Sequence, residues 1–494
     1  MSGICLVLTG KTLAIDLEIL ERYRPYIDLV ELRGDYLIPE EQPMLYHFPK
    51  MAGLPALLTM HSKENGGLFP GAEAERIALL TRAFSNTAAR QPRFAYVDIS
   101  CDTDAPELEK AARAGGTRIV RSFHDFNGTP SDLAARIRKL SRVGDEILKA
   151  AVTPQTLDEV AFLIQVANDF RNAEKIFISM GKRGACTRIL PEQLGSAWTF
   201  AYAKDIPGAK SSAPGQLSPK ELCEVYRFRE IKEDTAVYGI LGWPLETASS
   251  PAIFNKVFAR EQMNAVYIPF PCDSPNGFMR LAELIKVKGA TVTVPHKKTM
   301  LPHLARLSEE VRRTGACNTI VRGEDGWHGY NTDAPAFSGS LLRYFDREDL
   351  SGMNVTIVGA GAAAKAVAGE VSRLGGKALI VNRTLERAQE LASLYRFIAA
   401  ALEAGVENLI AGYSDLIINA TSAGMEPAIE NDPLEMYTFK GHEKVMDIIY
   451  KPEQTRFLRR AARAGCTTLN GYDMFIRQTR YQFKHFFGKE YPLV

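Results

Sequence analysis

The stretch NVTIVGAGAAAKAVAGEVSRLGGKALIVNRT, residues 354–384, contains the clearest order of secondary structure in the chain. An apolar run leads into a glycine turn, then into a helical pattern and a second apolar run, which predicts a strand–helix–strand unit. Gly359 allows the tight turn, and Gly361 lets a pyrophosphate approach the helix N-terminus, with Ala360, Ala362 and Ala363 beside it. Such a turn also serves plain helix–strand packing, so by itself it leaves both interpretations open.

The second strand of this unit ends in Asn382, Arg383 and Thr384, and Arg387 follows one helical turn later. Sites for NAD typically carry Asp or Glu at this place, which binds the ribose 2′-hydroxyl. Cations suit a 2′-phosphate instead. The sequence therefore favours NADP as the coenzyme.

The composition excludes several classes of protein. The 494 residues carry a net charge of +2 and are 46% hydrophobic, so large cores are expected and neither a nucleic acid nor a membrane surface is indicated as a partner. No apolar stretch approaches the roughly 20 residues of a membrane span. The seven cysteines include no C-x-x-C pair, which argues against a cysteine metal site and for a reducing compartment. We expect a cytoplasmic protein, with a plastid form lacking its transit peptide as the alternative, and we predict no metal.

Residues 1 to about 220 alternate short apolar runs with amphipathic patterns. The eight strand candidates are residues 4–8, 27–32, 55–60, 94–99, 117–123, 146–152, 175–180 and 198–202. Eight such units in this length predict a (β/α)8 barrel, with an open doubly wound sheet as the second choice. Polar side chains at the carboxyl ends of these strands would then share one rim.

Lys149 lies in the middle of one of these runs, EILKAAVTP, residues 146–154. Desolvation among apolar neighbours is expected to lower its pKa and to leave some free amine, which can attack a ketone and form an imine. His124, after the fifth strand, is suited to take the proton next to that imine. Taken singly, an edge lysine and a hydrogen-bonded core histidine are the commoner interpretations. A metal site at His61 and His124 lacks a carboxylate–histidine spacing.

The motifs VELRGDYL, SFHDF, EILKAAVTP, ISMGKRGACTR and SAPGQ, in this order, resemble type I 3-dehydroquinate dehydratases over residues 1 to about 225. The resemblance implies a (β/α)8 barrel in which Lys149 forms a Schiff base and His124 is the general acid/base. It also implies the substrate-binding residues Glu31, Arg33, Arg188, Ser212 and Gln216. Two positions depart from the family: His61 replaces the usual arginine at a substrate-binding position, and Ser100 replaces a glutamate that helps to orient the histidine.

In the second half, Lys297 follows a strand that ends at a proline, and Asp333 lies just before the nucleotide unit. A lysine–aspartate pair beside a nicotinamide can donate and recover a proton during hydride transfer, although a surface ion pair is commoner. The motifs YGILGWPLETASSP, VTVPHK, GACNTI, YNTD, VGAGAAA, NRT, NATSAGM, MDIIYKP and LNGYDMFIRQ resemble shikimate dehydrogenases over residues 236 to 490.

This second resemblance implies that Lys297 and Asp333 are the catalytic pair. It implies the substrate-binding residues Ser250, Thr293, Asn318, Tyr450 and Gln478, and it adds Thr421 and Gly471 to the coenzyme site. One position departs: Ala248 replaces a serine that helps to bind the carboxylate, and Thr247 and Ser249 are the neighbouring residues with a hydroxyl that can compensate.

The two resemblances name consecutive reactions, since 3-dehydroshikimate is the product of the first and the substrate of the second. They imply an α/β chain with a barrel at residues 1–228, a linker at 229–235, a substrate domain at 236–337, a Rossmann domain at 338–468 and a returning helix at 469–494. The implied ligands are 3-dehydroquinate, 3-dehydroshikimate, shikimate and NADP; the oligomeric state stays open. Two rivals are a metabolite-sensing regulator without catalysis and an enzyme that acts on quinate with NAD.

Overall fold

The computed structural model describes residues 1–85, 93–140, 144–245 and 248–492. The chain forms two compact units, residues 1–288 and 289–494. Each unit is described by itself, and the domain boundaries given above stay predictions.

The first unit opens with an eight-stranded parallel sheet. Its strands are β1 Gly3–Leu8, β2 Leu29–Arg33, β3 Ala56–Thr59, β4 Tyr96–Ser100, β5 Arg118–Asp125, β6 Ile147–Val152, β7 Lys175–Ser179 and β8 Trp198–Tyr202. Their order in the sheet is β7-β6-β5-β4-β3-β2-β1-β8. The sheet closes because Ala197 N, just before β8, donates to Lys175 O at the start of β7 (2.8 Å). The predicted barrel is therefore confirmed.

Helices follow most of these strands. They are α1 Leu13–Tyr23, α2 Phe48–Ala52, α3 Glu73–Ser85, α4 Pro106–Ala114, α5 Leu133–Arg138, α6 Leu157–Asp169, α7 Ala185–Ile189, α8 Pro191–Leu194 and α9 Pro219–Glu224. The apolar interior comes from inward residues such as Val7, Ile147, Ile178 and Phe200. The last of these helices, α9, ends at Glu224, and Arg227 three residues later has a left-handed φ of 55°.

A second α/β pattern completes the first unit. It consists of β9 Ala236–Gly242, α10 Ser250–Arg260, β10 Ala265–Pro271 and α11 Pro275–Leu284. The two strands are parallel, with Ala265 opposite Ala236 and Pro271 opposite Gly242. Helix α11 packs along α6 of the barrel, where Arg280 Nη1 lies 3.0 Å from Asp158 Oδ1. Strand β11 Val287–Val292 leads into the second unit.

The second unit starts with β11 antiparallel to β13 and with β13 antiparallel to β14. These elements are α12 His296–Thr299, β12 Arg306–Leu307, α13 Glu309–Thr314, β13 Thr319–Gly323, β14 Gly326–Tyr330 and α14 Asp333–Tyr344. The short strand β12 pairs in parallel with β14. Helix α14 is the last of these elements and precedes the strand–helix–strand unit of residues 354–384.

The rest of the unit is a parallel sheet with the strand order β17-β16-β15-β18-β19-β20. Its elements are β15 Asn354–Val358, α15 Ala362–Arg373, β16 Lys377–Asn382, α16 Leu385–Tyr395, β17 Ile398–Ala401, α17 Glu407–Gly412, β18 Leu416–Asn419, β19 Lys444–Asp447, α18 Arg456–Arg463, β20 Thr467–Leu469 and α19 Tyr472–Phe487. The chain runs outward from β15 to one edge and then returns to β18 on its other side. The gap between the carboxyl ends of β15 and β18 is the place where such sheets bind ligands. This confirms the predicted Rossmann pattern.

Among the described residues, none of the helices combines the length and the hydropathy that crossing a bilayer requires.

Candidate active sites

The residues predicted for the first site line one cavity at the carboxyl end of the barrel. They are Glu31, Arg33, His61, His124, Lys149, Arg188, Ser212 and Gln216. Alternation along β6 turns Lys149 inward, and β2 and β5 deliver their side chains to the same rim in the same way. His124 lies within β5 rather than after it, since this strand extends to Asp125. Arg188 lies in α7 rather than in the predicted loop.

Lys149 is buried and paired with an aspartate that the sequence analysis did not assign. Lys149 Nζ donates to Asp98 Oδ2 at 2.6 Å, and the two side chains are 7% and 0% exposed. Burial alone lowers the pKa of Lys149, but the charges of Asp98 and Glu31 outweigh it, so the pKa is raised. The expected lowering of this pKa is therefore wrong. The signal for Asp98 was available, because VDIS places a lone acid in an apolar strand just as EILKAAV places a lone lysine.

Two histidine rings meet above this pair. The centroids of His61 and His124 are 5.0 Å apart, and His61 Nε2 lies 4.0 Å from Asp98 Oδ1. Burial and the charge of Lys149 lower the pKa of His124 to about 3, and burial also lowers the pKa of His61. Both rings are therefore neutral near pH 7 and able to accept a proton. His124 Nδ1 is buried and finds no hydrogen-bond partner among the described residues.

Arg33 and Glu31 of the barrel site each have a hydrogen-bond partner within the protein. Arg33 makes two hydrogen bonds with Asp35, of 3.0 and 2.8 Å, a pairing that sequence reasoning missed. Glu31 Oε1 accepts from Thr59 Oγ1 at 2.6 Å. Both side chains are thus fixed before any ligand binds.

Arg188 is a buried cation whose partners are carbonyl groups. Its guanidinium donates to Phe200 O at 3.4 Å and to Pro214 O at 3.1 Å, and its side chain forms no ion pair among the residues that the structure describes. Burial lowers its pKa to about 10, so it stays charged at pH 7. Such a cation is suited to an anionic ligand group. The segment 212–216 packs against it, and Gln216 Nε2 donates to Ser212 Oγ at 3.3 Å.

Glycine is required where this segment meets the loop after β7. Gly215 has a φ of 77°, and a Cβ on it would lie 2.3 Å from Gly181 O. Gly181 N donates to Pro214 O at 2.9 Å. The two loops therefore close over Arg188 by backbone contact.

The second candidate site lies at the start of α14. Lys297 Nζ donates to Asp333 Oδ2 at 2.6 Å, and the two side chains are 14% and 6% exposed. Asp333 Oδ1 accepts from Asn318 Nδ2 at 2.9 Å and also from Gln478 Nε2 of α19. Four of the predicted residues thus meet at one carboxylate, and the pair is not a surface ion pair.

The other predicted substrate residues are Thr293, Tyr450 and Ser250. Thr293 follows β11 and accepts from His296 N through its carbonyl oxygen at 2.8 Å. The ring of Tyr450 stacks on Phe475 with centroids 4.3 Å apart. Ser250 is the first residue of α10 in the first unit, Ala248 and Ser249 are half-buried, and Thr247 lies outside the described residues.

The nucleotide site has the backbone that its motif predicts. Gly359 has a φ of 113°, and a Cβ there would lie 2.9 Å from Thr421 Cγ2. A Cβ on Gly361 would meet nothing within 4 Å, so the N-terminus of α15 is open above it. Ala364 is fully buried, whereas Ala360, Ala362 and Ala363 are half-buried around the turn.

Exposed cations lie at the end of β16. Arg383 and Arg387 are exposed and form no ion pair among the described residues, and Asn382 Nδ2 donates to Thr384 O at 2.9 Å. On the neighbouring side, Thr421 Oγ1 donates to Asn419 Oδ1 at 2.7 Å. Gly471 N, before α19, donates to Ile449 O at 3.0 Å. Asn382 thus ends and Arg383 follows the strand next to β15, and Thr421 follows β18 on its other side. The described residues contain no cluster of three or more potential metal ligands.

Three family models match successive parts of the chain. The family "Type I 3-dehydroquinase" matches residues 4–233, "Shikimate dehydrogenase substrate binding domain" matches 240–320, and "Shikimate / quinate 5-dehydrogenase" matches 342–450. The chain is 33% identical over 485 residues to the chloroplastic bifunctional 3-dehydroquinate dehydratase/shikimate dehydrogenase of Arabidopsis thaliana, covering 94% of this chain and 78% of that protein.

Two further relatives cover different shares of the chain. The shikimate biosynthesis protein AroDE of Chlamydia pneumoniae is 27% identical over 93% of this chain and 90% of its own length. The shikimate dehydrogenase (NADP(+)) of Moorella thermoacetica is 36% identical over 53% of this chain and 92% of its own length. Both families match in order, and the relative from Arabidopsis thaliana aligns with 94% of this chain. The chain therefore belongs to the bifunctional 3-dehydroquinate dehydratase/shikimate dehydrogenase enzymes of the shikimate pathway.

Proposed function

We propose that the barrel dehydrates 3-dehydroquinate through an imine on Lys149 and that the second unit reduces the product, 3-dehydroshikimate, to shikimate with NADPH. The observation that carries the first half is the shared cavity of Lys149, a neutral His124 and the unpaired cation Arg188. A substrate with one carboxylate and one ketone fits these three groups. Arg188 would bind the carboxylate and so direct the ketone carbon toward Lys149 Nζ.

The imine nitrogen would then draw electrons from the adjacent carbon, whose proton His124 can accept. Elimination of the neighbouring hydroxyl as water needs that proton to be returned, which the protonated ring of His124 can do. Glu31 and Arg33 would hold ring hydroxyls, because their own partners Thr59 and Asp35 fix their orientation. Hydrolysis of the imine releases 3-dehydroshikimate and restores Lys149.

In the second unit, bound NADPH would supply the hydride. Lys297 would give its proton to the ketone oxygen, and Asp333 would hold Lys297 and a substrate hydroxyl, with Asn318 and Gln478 fixing the other carboxylate oxygen. The coenzyme would bind with its pyrophosphate at Gly361 and its 2′-phosphate at Arg383 and Arg387. Thr293 and Tyr450 would complete the substrate site, and Asn382, Thr384, Thr421 and Gly471 the coenzyme site.

The whole proposal is tested by following NADPH absorbance after 3-dehydroquinate is added to the purified chain. Oxidation of NADPH is expected, because only the dehydrated product can be reduced. Quinate with NAD serves as the rival assay, and faster turnover there would replace the proposed second reaction. Borohydride added with 3-dehydroquinate should leave a mass adduct on the peptide that contains Lys149. An adduct on another lysine would contradict the assignment.

A further inference from the structure

Asp98 contacts Lys149 and also faces His61, one of the two histidines at this site. Its Oδ2 accepts from Lys149 Nζ at 2.6 Å, and its Oδ1 accepts from Ser122 Oγ at 2.5 Å and faces His61 Nε2 at 4.0 Å. Strand register supports this position, because Asp98 lies on β4, Ser122 on β5 and Lys149 opposite Ser122 on β6. Asp98 therefore connects three strands of the barrel at the reacting nitrogen.

The other charged groups around Lys149 do not take the place of Asp98 as the partner of its ammonium group. The titratable groups that act on Lys149 or feel its charge are Asp98, Glu31, Arg33, His61, His124 and Cys5. Both histidines are neutral, and Arg33 is already bound to Asp35. Asp98 is thus the carboxylate in direct contact with the ammonium group, and the ring of Phe200 covers another side with its centroid 4.7 Å from Nζ.

We propose that Asp98 is a positioning residue that favours the cationic states of the Lys149 nitrogen, which are the ammonium group of the free enzyme and the protonated imine from which the adjacent proton is removed. This inference rests on the proposed imine at Lys149. The overall condensation is R–NH₃⁺ + O=CR′₂ → R–NH⁺=CR′₂ + H₂O. Two protons leave the nitrogen with the carbonyl oxygen as water, and one positive charge is present before and after. A fixed carboxylate at 2.6 Å therefore stabilises the starting state and the product of this step alike.

The same contact disfavours the uncharged forms of the nitrogen, which are the free amine, the neutral imine and the enamine that forms when the adjacent proton leaves. A neutral imine draws electrons weakly, so keeping it protonated preserves the step in which the adjacent proton is removed. The two neutral histidines can carry the protons that pass between nitrogen, oxygen and carbon, because neither competes with Lys149 for the charge of Asp98. Asp98 thus exchanges some nucleophilicity of the amine for a stable electron sink.

The free-enzyme half is tested by pulse acetylation of the full chain with acetic anhydride between about pH 7 and pH 11, with the peptide of Lys149 quantified by mass spectrometry. Wild-type Lys149 is expected to label with a midpoint above that of exposed lysines, which lies near 10.4. In Asp98→Asn the burial of Lys149 remains and the charge is gone, so the midpoint should fall by at least about one pH unit. Ser122→Ala is the matched control, since it removes a contact of Asp98 and keeps the charge; its midpoint should stay above that of exposed lysines.

A wild-type midpoint below that of exposed lysines overturns the proposal, whether or not Asp98→Asn folds. An unchanged midpoint in a folded Asp98→Asn overturns it as well. The second half uses cyanoborohydride, which reduces protonated imines, with 3-dehydroquinate present. The yield of adduct should be constant with pH in wild type and should fall about tenfold for each pH unit above the imine pKa in Asp98→Asn. A wild-type enzyme that dehydrates without any adduct refutes the imine itself, whereas equal pH dependence in both proteins refutes only the role of Asp98.

Discussion

Each unit of this chain contains a lysine and an aspartate 2.6 Å apart, and the two pairs differ in what surrounds the carboxylate. Asp98 is fully buried and shares its second oxygen with a hydroxyl and a histidine ring. Asp333 is 6% exposed, and its second oxygen accepts from two amide groups, those of Asn318 and Gln478. The same ion pair thus stands beside proton acceptors in the barrel and beside fixed hydrogen-bond donors in the second unit.

This difference indicates why one lysine is suited to covalent chemistry and the other to acid catalysis. A buried lysine with neutral imidazoles close by can pass protons to them while its nitrogen forms a bond. A lysine whose carboxylate partner is held by amides has a fixed direction for its N–H bonds, which suits the donation of a proton. The lysine–aspartate distance is the same in both pairs, so we attribute the difference between the two proposed reactions to the neighbours of each aspartate.

The largest effect is expected when the nucleophile is removed. Lys149→Ala deletes the group that we propose forms the imine, so dehydration should fall by at least about 10⁴-fold. Reduction of added 3-dehydroshikimate by the same protein should be unchanged, because the second pair belongs to another unit. The NADPH assay with each substrate in turn measures both. Equal loss of both reactions would show that the Lys149–Asp98 pair and the Lys297–Asp333 pair do not act independently.

The second pair is tested by Lys297→Met, which keeps the apolar stem and removes the proton donor. General acid catalysis contributes about 10²–10⁴-fold, and kcat for 3-dehydroshikimate should fall by that factor while KM stays nearly constant. Lys298→Met is the matched control on the exposed neighbouring position, and it should keep kcat. A rise in KM with kcat intact would make Lys297 a binding residue.

The coenzyme site gives a smaller effect that separates binding from chemistry. Arg383→Ala removes an exposed cation proposed to pair with the 2′-phosphate, so the affinity for NADPH should fall by about 10- to 100-fold. The affinity for NADH should hardly change, since it lacks this phosphate. Titration of coenzyme fluorescence measures both, with the exposed Arg463→Ala of α18 as a control. Equal losses for the two coenzymes would contradict the role of Arg383.

The sequence predicted the elements of the fold because their signals are local. Apolar runs of a strand's length and the glycine turn at Gly359 are properties of neighbouring residues, and all eight barrel strands and the Rossmann unit were found from them. Some candidate site residues, such as His61 and His124, were named because polar groups at strand ends are visible in the sequence, whereas Asn318 and Gln478 were named only because their motifs resemble shikimate dehydrogenases.

What the sequence did not predict depends on contacts between strands. The raised pKa of Lys149 comes from Asp98, which is 51 residues away in the chain, and desolvation alone predicts the opposite direction. The pairing of Arg33 with Asp35 was missed for a related reason. Arg33 is the last residue of β2 and Asp35 lies beyond it, so their contact depends on how the chain turns after the strand.

The smallest effect concerns His124, which lies near the Lys149–Asp98 pair of the barrel. Its Nδ1 has no hydrogen-bond partner among the described residues. Ser100 lies two residues after Asp98 on β4 and so faces the same side of the strand, one step nearer to His124 along the rim.

Ser100→Glu should place a carboxylate within reach of that nitrogen. An acidic partner raises the pKa of a buried histidine, here from about 3 toward the working pH, and a base with such a pKa is more effective. The new carboxylate also lies near Asp98, and this repulsion limits the gain, so we expect kcat for dehydration to rise by only about three- to tenfold. The acidic limb of the profile of kcat/KM against pH should move upward at the same time. Ser100→Ala serves as the control and should change neither quantity. If Ser100→Glu left the acidic limb in place, the orphan nitrogen of His124 would not be what separates this barrel from its relatives, and the comparison of the two pairs would rest on Asp98 alone.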